Sequence, residues 1–342
     1  MPSISVVTAT RNSMRTIEQC LGSIRSQKYP QDRIELLVCD GGSTDGTIAV
    51  AKKYGARVYP IDPKKQNAEY NKSIGISHAK NELIAMIDHD NILPHSEWLT
   101  KMVRPFRDAH DIAGVETLRY TYDPGGTLLD RYFALFGSGD PLVWYLGKTD
   151  RLSYMHDTYV LAGEVIRTHP YYVVRFNERN MPTIGANGFL VRRDLLTEYA
   201  DITPGRYFDM DVNIDLIRNG FTLFAFIHDG IIHKTGYGSV LYYLQRRMLF
   251  MREYQLKKVN SEEMHHRRFQ MVSKGNILRL FYSIVLCLTL IVPLYDSIRG
   301  WARVRDKAWF LHPVMAVGFV FIYVWVIMKH YIRFYANYIL GK

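Results

Sequence analysis

Over about its first hundred residues the chain alternates short apolar runs with segments whose apolar residues recur at helical spacing. Ile4 to Thr8, Ile34 to Cys39, Arg57 to Pro60 and Leu83 to Ile87 read as strands, and Ile17 to Ile24, Thr47 to Tyr54 and Asn67 to His78 read as helices. Such alternation predicts an α/β fold with a Rossmann-like, mostly parallel sheet that gathers ligands at the carboxyl ends of its strands. What closes each strand therefore carries the chemistry. The fourth delivers Asp88 and Asp90, with Asn91. Two carboxylates one residue apart suit a hard divalent cation: Mg²⁺ or Mn²⁺ prefers oxygen and is commonly held by one or two carboxylates plus a substrate's phosphates, so the pair points to a nucleotide diphosphate. The plain alternative is an acidic turn capped by Asp and Asn. The second strand ends in Asp40-Gly-Gly-Ser-Thr-Asp-Gly46. An acid there can hydrogen-bond a base or ribose lying over the strand ends. Its glycines lack the G-x-G-x-x-G spacing and follow the second strand, which argues against a dehydrogenase.

The 342 residues allow one large domain or two, and their charge is segregated. Residues 1–239 hold 27 Lys and Arg against 28 Asp and Glu, and residues 240–342 hold 16 against 5. The basic part also contains the only membrane-length apolar runs, so anionic lipid headgroups explain its charge better than nucleic acid, which is not expected as a partner. Cys20, Cys39 and Cys287 have no metal-ligand spacing and predict no disulfide framework. No basic, long apolar leader precedes Ser3, so no signal peptide is expected and the globular part is expected in the cytoplasm.

Four stretches in order resemble the successive motifs of family-2 glycosyltransferases: Ser5-Val-Val-Thr-Ala-Thr-Arg-Asn12, Val38 to Thr47, Asn71 through Gly75 to Ala79-Lys80, and Asp88-His-Asp90. The resemblance implies a GT-A fold, an inverting reaction and a nucleotide-sugar donor, with UDP-sugars favoured. It further implies that the turn Ala9-Thr10-Arg11, with Asp40, holds base and ribose, that Asn71 and Asp88 also belong to the donor site, and that Asp88 and Asp90 hold Mn²⁺ or Mg²⁺ on the diphosphate. Here Asp40 is followed by Gly41 where many members carry a second acid, and Arg11 stands where an aromatic is common.

Further on, Thr183 to Leu196 is similar to the family segment beneath the donor sugar, which would bring Asn187 to the donor. Its glycines let backbone approach a ligand. Arg192 and Arg193 are candidates for an acceptor phosphate, or simply begin a solvated helix. An inverting transfer to a hydroxyl needs a carboxylate base. The family places it just ahead of a helix ending in Gly, here Gly220, which favours Asp209, with Asp211 the rival and Phe208 in place of the usual Glu. Asp215 reads as structural. His233 resembles a late His that completes the metal site in some members, and a hydrogen-bonded structural His is the alternative. The insertion Thr121 to Arg151 is expected to border an acceptor pocket.

At the carboxyl end, Val240, Leu244, Met248 and Met251 share a helical face, which predicts an interfacial or packed helix, with Arg246 and Arg247 as further candidates for an acceptor phosphate. Ile277 to Tyr295 is about long enough to span, flawed by Arg279 and Pro293, and Trp309 to Met328 is a cleaner span without acidic or basic residues. The expected organisation is a catalytic domain over 1–238, a helical linker over 239–275, and an α-helical membrane region over 276–342 forming a multi-pass hairpin, with a re-entrant first segment as the alternative. Gln245-Arg-Arg-Met-Leu249 lacks the Gln-x-x-Arg-Trp of processive members. The reading is therefore single sugar addition to polyprenyl phosphate or a lipid-linked saccharide at the cell membrane. A non-catalytic nucleotide-sugar-binding module and a processive synthase are its rivals, and a homo-oligomer is left open.

Overall fold

The computed structural model describes residues 1–252, 267–272 and 277–339. Strands β1 (Ile4–Thr10), β2 (Ile34–Asp40), β3 (Arg57–Pro60) and β4 (Leu83–Met86) alternate with helices α1 (Ile17–Arg25), α2 (Thr47–Lys53) and α3 (Ala68–His78). β1 pairs in parallel with β2 and β4, and β2 with β3, in the order β3-β2-β1-β4. The remaining elements of the domain are β5 (Asn91–Ile92), α4 (Trp98–Asp108), β6 (Ile112–Tyr120), α5 (Leu128–Phe136), α6 (Pro141–Tyr145), β7 (Glu164–Arg167), β8 (Tyr172–Arg175), β9 (Phe189–Arg192), α7 (Arg193–Tyr199), α8 (Asp209–Arg218) and β10 (Leu223–His233). The sheet continues β9-β6-β10-β8-β7, with β9 antiparallel to both neighbours and β10 parallel to β6.

Each face of the sheet carries its own apolar core. Ile17, Leu21, Trp98 and Met102 fill the side of α1 and α4. Ile76, Leu196, Ile214 and Leu216 fill the side of α3, α7 and α8. α3 can approach β1 and β2 only because residue 75 is glycine: a Cβ there would press into Val7 and lie 3.1 Å from the Cys39 sulfur. Asn67 caps α3, its side chain accepting from the Tyr70 N–H at 2.9 Å.

The insertion after β6 is a platform for the carboxyl-terminal helices. α9 (Val240–Phe250), α10 (Ile277–Thr289), α11 (Ile291–Arg303) and α12 (His312–Ile339) complete the described chain. Tyr132, Phe133 and Phe136 of α5 bury against Tyr243, Trp309 and Phe319, while Leu142 of α6 meets Cys287, Ala316 and Val320. Residues 307–332 are long and apolar enough to cross a membrane, at mean hydropathy 2.1. The expected span 277–295 is instead broken: α10 and α11 meet at Leu290 with a 74° bend. Pro293 explains the break, because its ring clashes with the carbonyl of residue 289 and it offers no N–H to continue the helix. Residues 253–266, within the expected linker, lie outside the described residues.

Candidate active site

The carboxyl ends of β1 and β4 open onto a cleft of about 660 Å³. Ala9, Thr10 and Arg11 form one wall, Glu69, Tyr70 and Asn71 of α3 a second, and Asp88, His89 and Asp90 the floor. Asn187, His233, Arg246 and Arg267 close it. Sequence-distant residues thus converge, and the reason is the topology. The short strand β5 pairs His233 of β10 with Asn91, which brings the His233 ring to Asp90, Nε2 to Oδ2 3.4 Å. The Lys234 N–H donates to the Asp90 carbonyl at 2.8 Å. Asn91 in turn accepts from the Asp88 N–H at 2.9 Å and donates to the Asn187 side chain at 3.1 Å. Asn187 sits at a positive φ of 52° and donates to Tyr120 at 3.1 Å.

Burial alone would raise the Asp90 carboxyl, but the His233 imidazolium beside it, helped by His89, holds it well below the usual carboxylate range. His233 is pulled the other way: burial disfavours its charge, yet Asp90 and Asp88 raise its pKa above the ordinary value. Two carboxylates and an imidazole thus line one cleft. Among the described residues no three His, Cys, Asp or Glu side chains are grouped so that they could hold a metal ion by themselves.

A buried cation stands behind this floor. Lys72 is 3% exposed, with its ammonium 2.7 Å from Asp209 Oδ2 and 3.4 Å from Asp88 Oδ1. Burial would strip its proton, but Asp209, Asp88 and Glu69 hold its pKa well above the ordinary lysine value. The other oxygen of Asp209 accepts from the Tyr207 hydroxyl at 2.5 Å. Both Asp209 oxygens are therefore engaged. Glu69 has no comparable clamp: among the described residues its carboxylate accepts one hydrogen bond, from the Asp209 N–H at 3.4 Å, and it lines the cleft. Burial, then the Asp209 charge, pushes Glu69 up to about 8, against Lys72. Neither Glu69 nor Lys72 was singled out in the sequence, although an acid and a base in the first turns of a helix opening at the strand ends are a signal that could have found them.

Other expected residues fall elsewhere. Asp211 is fully buried and tied to the 267–269 segment, accepting from the N–H groups of Arg268 at 3.0 Å and Phe269 at 2.7 Å and from Arg267 at 3.3 Å. Asp40 is 1% exposed and spends its carboxylate on its own turn, on the N–H groups of Gly42 at 3.0 Å and Ser43 at 2.8 Å and on the Ser43 hydroxyl. Arg192 and Arg193 must be moved away from any acceptor phosphate. β9 runs antiparallel to β4, so Arg192 pairs with Leu83 at the amino end of that strand. Its guanidinium binds the carbonyls of Phe106, Ala109 and Ile112, and Arg193 binds that of Asn81. Arg247 is likewise drawn from the cleft, toward Asp140 and Tyr323. Arg246 lines the cleft, and neither it nor Arg11 has an ion-pair partner among the described residues. Asn71 is 2% exposed, donates to the Cys39 carbonyl at 3.3 Å, and its buried oxygen has no partner among the described residues. Gly185, at φ 133°, lets the glycine-rich segment pass under α8, where a Cβ would lie 2.6 Å from the Asp209 carbonyl oxygen.

Residues 5–158 match the family model described as "Glycosyl transferase family 2". The match is a likeness to that family over less than half of the chain. Glycosyltransferase AglE of Haloferax volcanii is 31% identical over 137 residues, which are 39% of this chain and 44% of that protein. The 4,4'-diaponeurosporenoate glycosyltransferase of Staphylococcus aureus strain RF122 is 34% identical over 92 residues, 26% of this chain and 24% of that one. The chain thus spans less than half the length of these curated relatives. Among solved structures, mannosyltransferase PcManGT of Pyrobaculum calidifontis, in complex with GDP-Man and Mn²⁺, superposes with a TM-score of 0.52 at 14% identity, over 96% of this chain and 88% of that one. The likeness agrees with the observed sheet in assigning the GT-A fold.

Proposed function

We propose that the chain is a membrane-anchored inverting glycosyltransferase that moves one sugar from a nucleotide-diphosphate sugar, uridine favoured, to polyprenyl phosphate or a lipid-linked saccharide. The observation that carries this is the single cleft in which Asp88, Asp90 and His233 are joined by the guanidinium groups of Arg11 and Arg246, which have no ion-pair partner among the described residues. Anionic phosphates complement both sets, the guanidinium groups directly and the carboxylates through Mn²⁺ or Mg²⁺, for which Asp88, Asp90 and His233 are the proposed ligands. When bound, such an ion neutralises the charge that builds on the leaving diphosphate.

The protein's remaining work is alignment and proton handling. Ala9 to Arg11 and Asn71, with its open buried acceptor, are proposed to hold the nucleoside, while Asp40 acts through the shape of its turn. Lys72 fixes Asp209 and keeps the negative charge of the floor balanced before the donor enters. For a hydroxyl acceptor, Glu69 is the carboxyl best placed to take the proton, since it faces the cleft with its pKa near the operating range, and Asp209 orients it. A phosphate acceptor is already ionised and needs only positioning, for which Arg246 and Arg267 are available. Residues 307–332 would seat the chain in the bilayer. Mass analysis of the lipid product after incubation with donor tests the stoichiometry. A single added sugar supports the proposal, and a ladder of lengths would make the enzyme a processive synthase.

A further inference from the structure

A second polar cavity, of about 400 Å³, lies where the insertion meets α10. Its lining includes Thr149, Ser153, His156 and Arg279 with the apolar Trp144 and Leu161, and among the described residues it contains no carboxylate and shares no residue with the donor cleft. The segment between separates the two sites: Thr149 and Leu152 line the cavity, while Arg151 donates to the carbonyl of Asn187, which lines the cleft, at 2.9 Å.

The cavity is shaped from behind by Arg119 of β6. Its guanidinium binds the carbonyls of Leu152 at 3.3 Å, Ser153 at 2.6 Å, and His156, so the loop's acceptors are consumed on the outside. What remains inside is donor-rich. Thr149 is 3% exposed, and its hydroxyl has no hydrogen-bond partner among the described residues. The same holds for the ring nitrogens of His156 and for the Arg279 guanidinium, which has no ion pair there either. Gly147, at φ 67°, admits that guanidinium, because a Cβ would lie 2.5 Å from its Nη2. The nearby Asp157 is already neutralised by Arg303 at 2.5 Å. A buried hydroxyl, an imidazole and a guanidinium without an ion pair among the described residues, around a half-open space that no described acid lines, match the oxygens of a phosphate monoester.

Arg279 also stands near the start of an apolar helix. Leu278, Phe281, Tyr282 and Val285 of α10 are 81%, 61%, 63% and 55% exposed. A ligand whose phosphate sits on Arg279 would lay an attached hydrocarbon along that face. We propose that this cavity binds the phosphate monoester headgroup of an anionic lipid, as a holding site separate from the donor cleft. The inference does not rest on the transferase reading.

The test is calorimetric titration of the purified full-length protein in detergent with dihexanoyl phosphatidic acid, dihexanoyl phosphatidylcholine and inorganic phosphate, with UDP binding as a control for the donor cleft. The phosphatidic acid is expected to bind and the phosphatidylcholine not. Arg279→Gln should weaken binding about tenfold or more, as loss of a charge-assisted contact does, and Thr149→Val about threefold, with UDP affinity unchanged in both. Inorganic phosphate binding as tightly as the phosphatidic acid would overturn the lipid assignment in favour of a free anion. Equal affinities in wild type and Arg279→Gln would overturn the site. So would an Arg279→Gln effect without a Thr149→Val effect, which would reduce it to an exposed charge.

Discussion

Replacing Lys72 by Met removes the only cation in contact with Asp209 among the described residues, and the consequence can be estimated from the geometry. The ammonium is 3% exposed and the Asp209 side chain 9%, 2.7 Å apart, so the carboxylate would be left buried beside Asp88 and Glu69. Breaking a buried pair from one side costs about 3–5 kcal/mol. Asp209 can relieve part of this by taking up a proton and keeps its Tyr207 hydrogen bond, which brings the expected loss to roughly 2–3 kcal/mol. At about 2–4 °C per kcal/mol for a chain of this size class, the midpoint should fall by about 4–12 °C. Asp209→Asn alone leaves Lys72 with Asp88, 3.4 Å away, and should cost less. In the double variant Lys72→Met/Asp209→Asn no charge is left stranded at this position, so its loss should be smaller than the sum of the two by about 1–3 kcal/mol. Thermal and urea unfolding of the four proteins, followed by tryptophan fluorescence, measures the cycle. Additive losses, or a Lys72→Met midpoint within about 1 °C of wild type, would refute the clamp.

Three further outcomes follow from the same geometry. Glu69, raised from 4.5 to about 8 by burial and by Asp209, keeps a proton in the fold that the unfolded chain releases. The stability it contributes is therefore complete below about pH 4.5 and is lost as pH rises through about 8, and Glu69→Gln should flatten the decline of urea stability across that window. Gly75→Val would push a side chain into Val7 and Cys39 and should cost about 1–3 kcal/mol in urea unfolding. Arg246→Gln should raise the KM for donor or acceptor about tenfold at unchanged stability, whereas Arg247→Gln, which faces Asp140 and Tyr323, should lower the unfolding midpoint and leave KM nearly alone; kinetics and thermal scans on both variants separate the roles.

The amino-terminal half was legible because each strand there is a short apolar run ending in a polar turn, and the periodicity of α1 to α3 is unambiguous. Asp88, Asp90 and Asn71 could be assigned to one cleft because the parallel order of β1, β2 and β4 puts their carboxyl ends side by side. Beyond β6 the signal weakens for physical reasons. β9 hides in a glycine-rich run, and its antiparallel direction, invisible in periodicity, carries Arg192 and Arg193 to the wrong end of the sheet. Asp211 and Asp209 look alike in the sequence, but successive helical positions point about 100° apart, and only Asp209 turns toward Lys72. The break at Leu290 was signalled by Pro293, while the burial of Tyr132 and Phe136 against Trp309 depends on contacts across more than 170 residues that no local pattern encodes.

The central claim is that Asp88 and Asp90 anchor the diphosphate of a sugar donor through a divalent ion. The most direct measurement is nucleotide release by the membrane-inserted protein from a panel of nucleotide sugars, with Mn²⁺ or Mg²⁺ and with chelator, in the presence and absence of polyprenyl phosphate. The account predicts release from at least one donor that chelator abolishes, that falls about 100-fold or more in Asp90→Asn, and that rises with the lipid. Metal-dependent release indifferent to the lipid would move the acceptor to a lipid-linked saccharide. Release untouched by chelator and by Asp90→Asn, or no release from any donor, would contradict the claim.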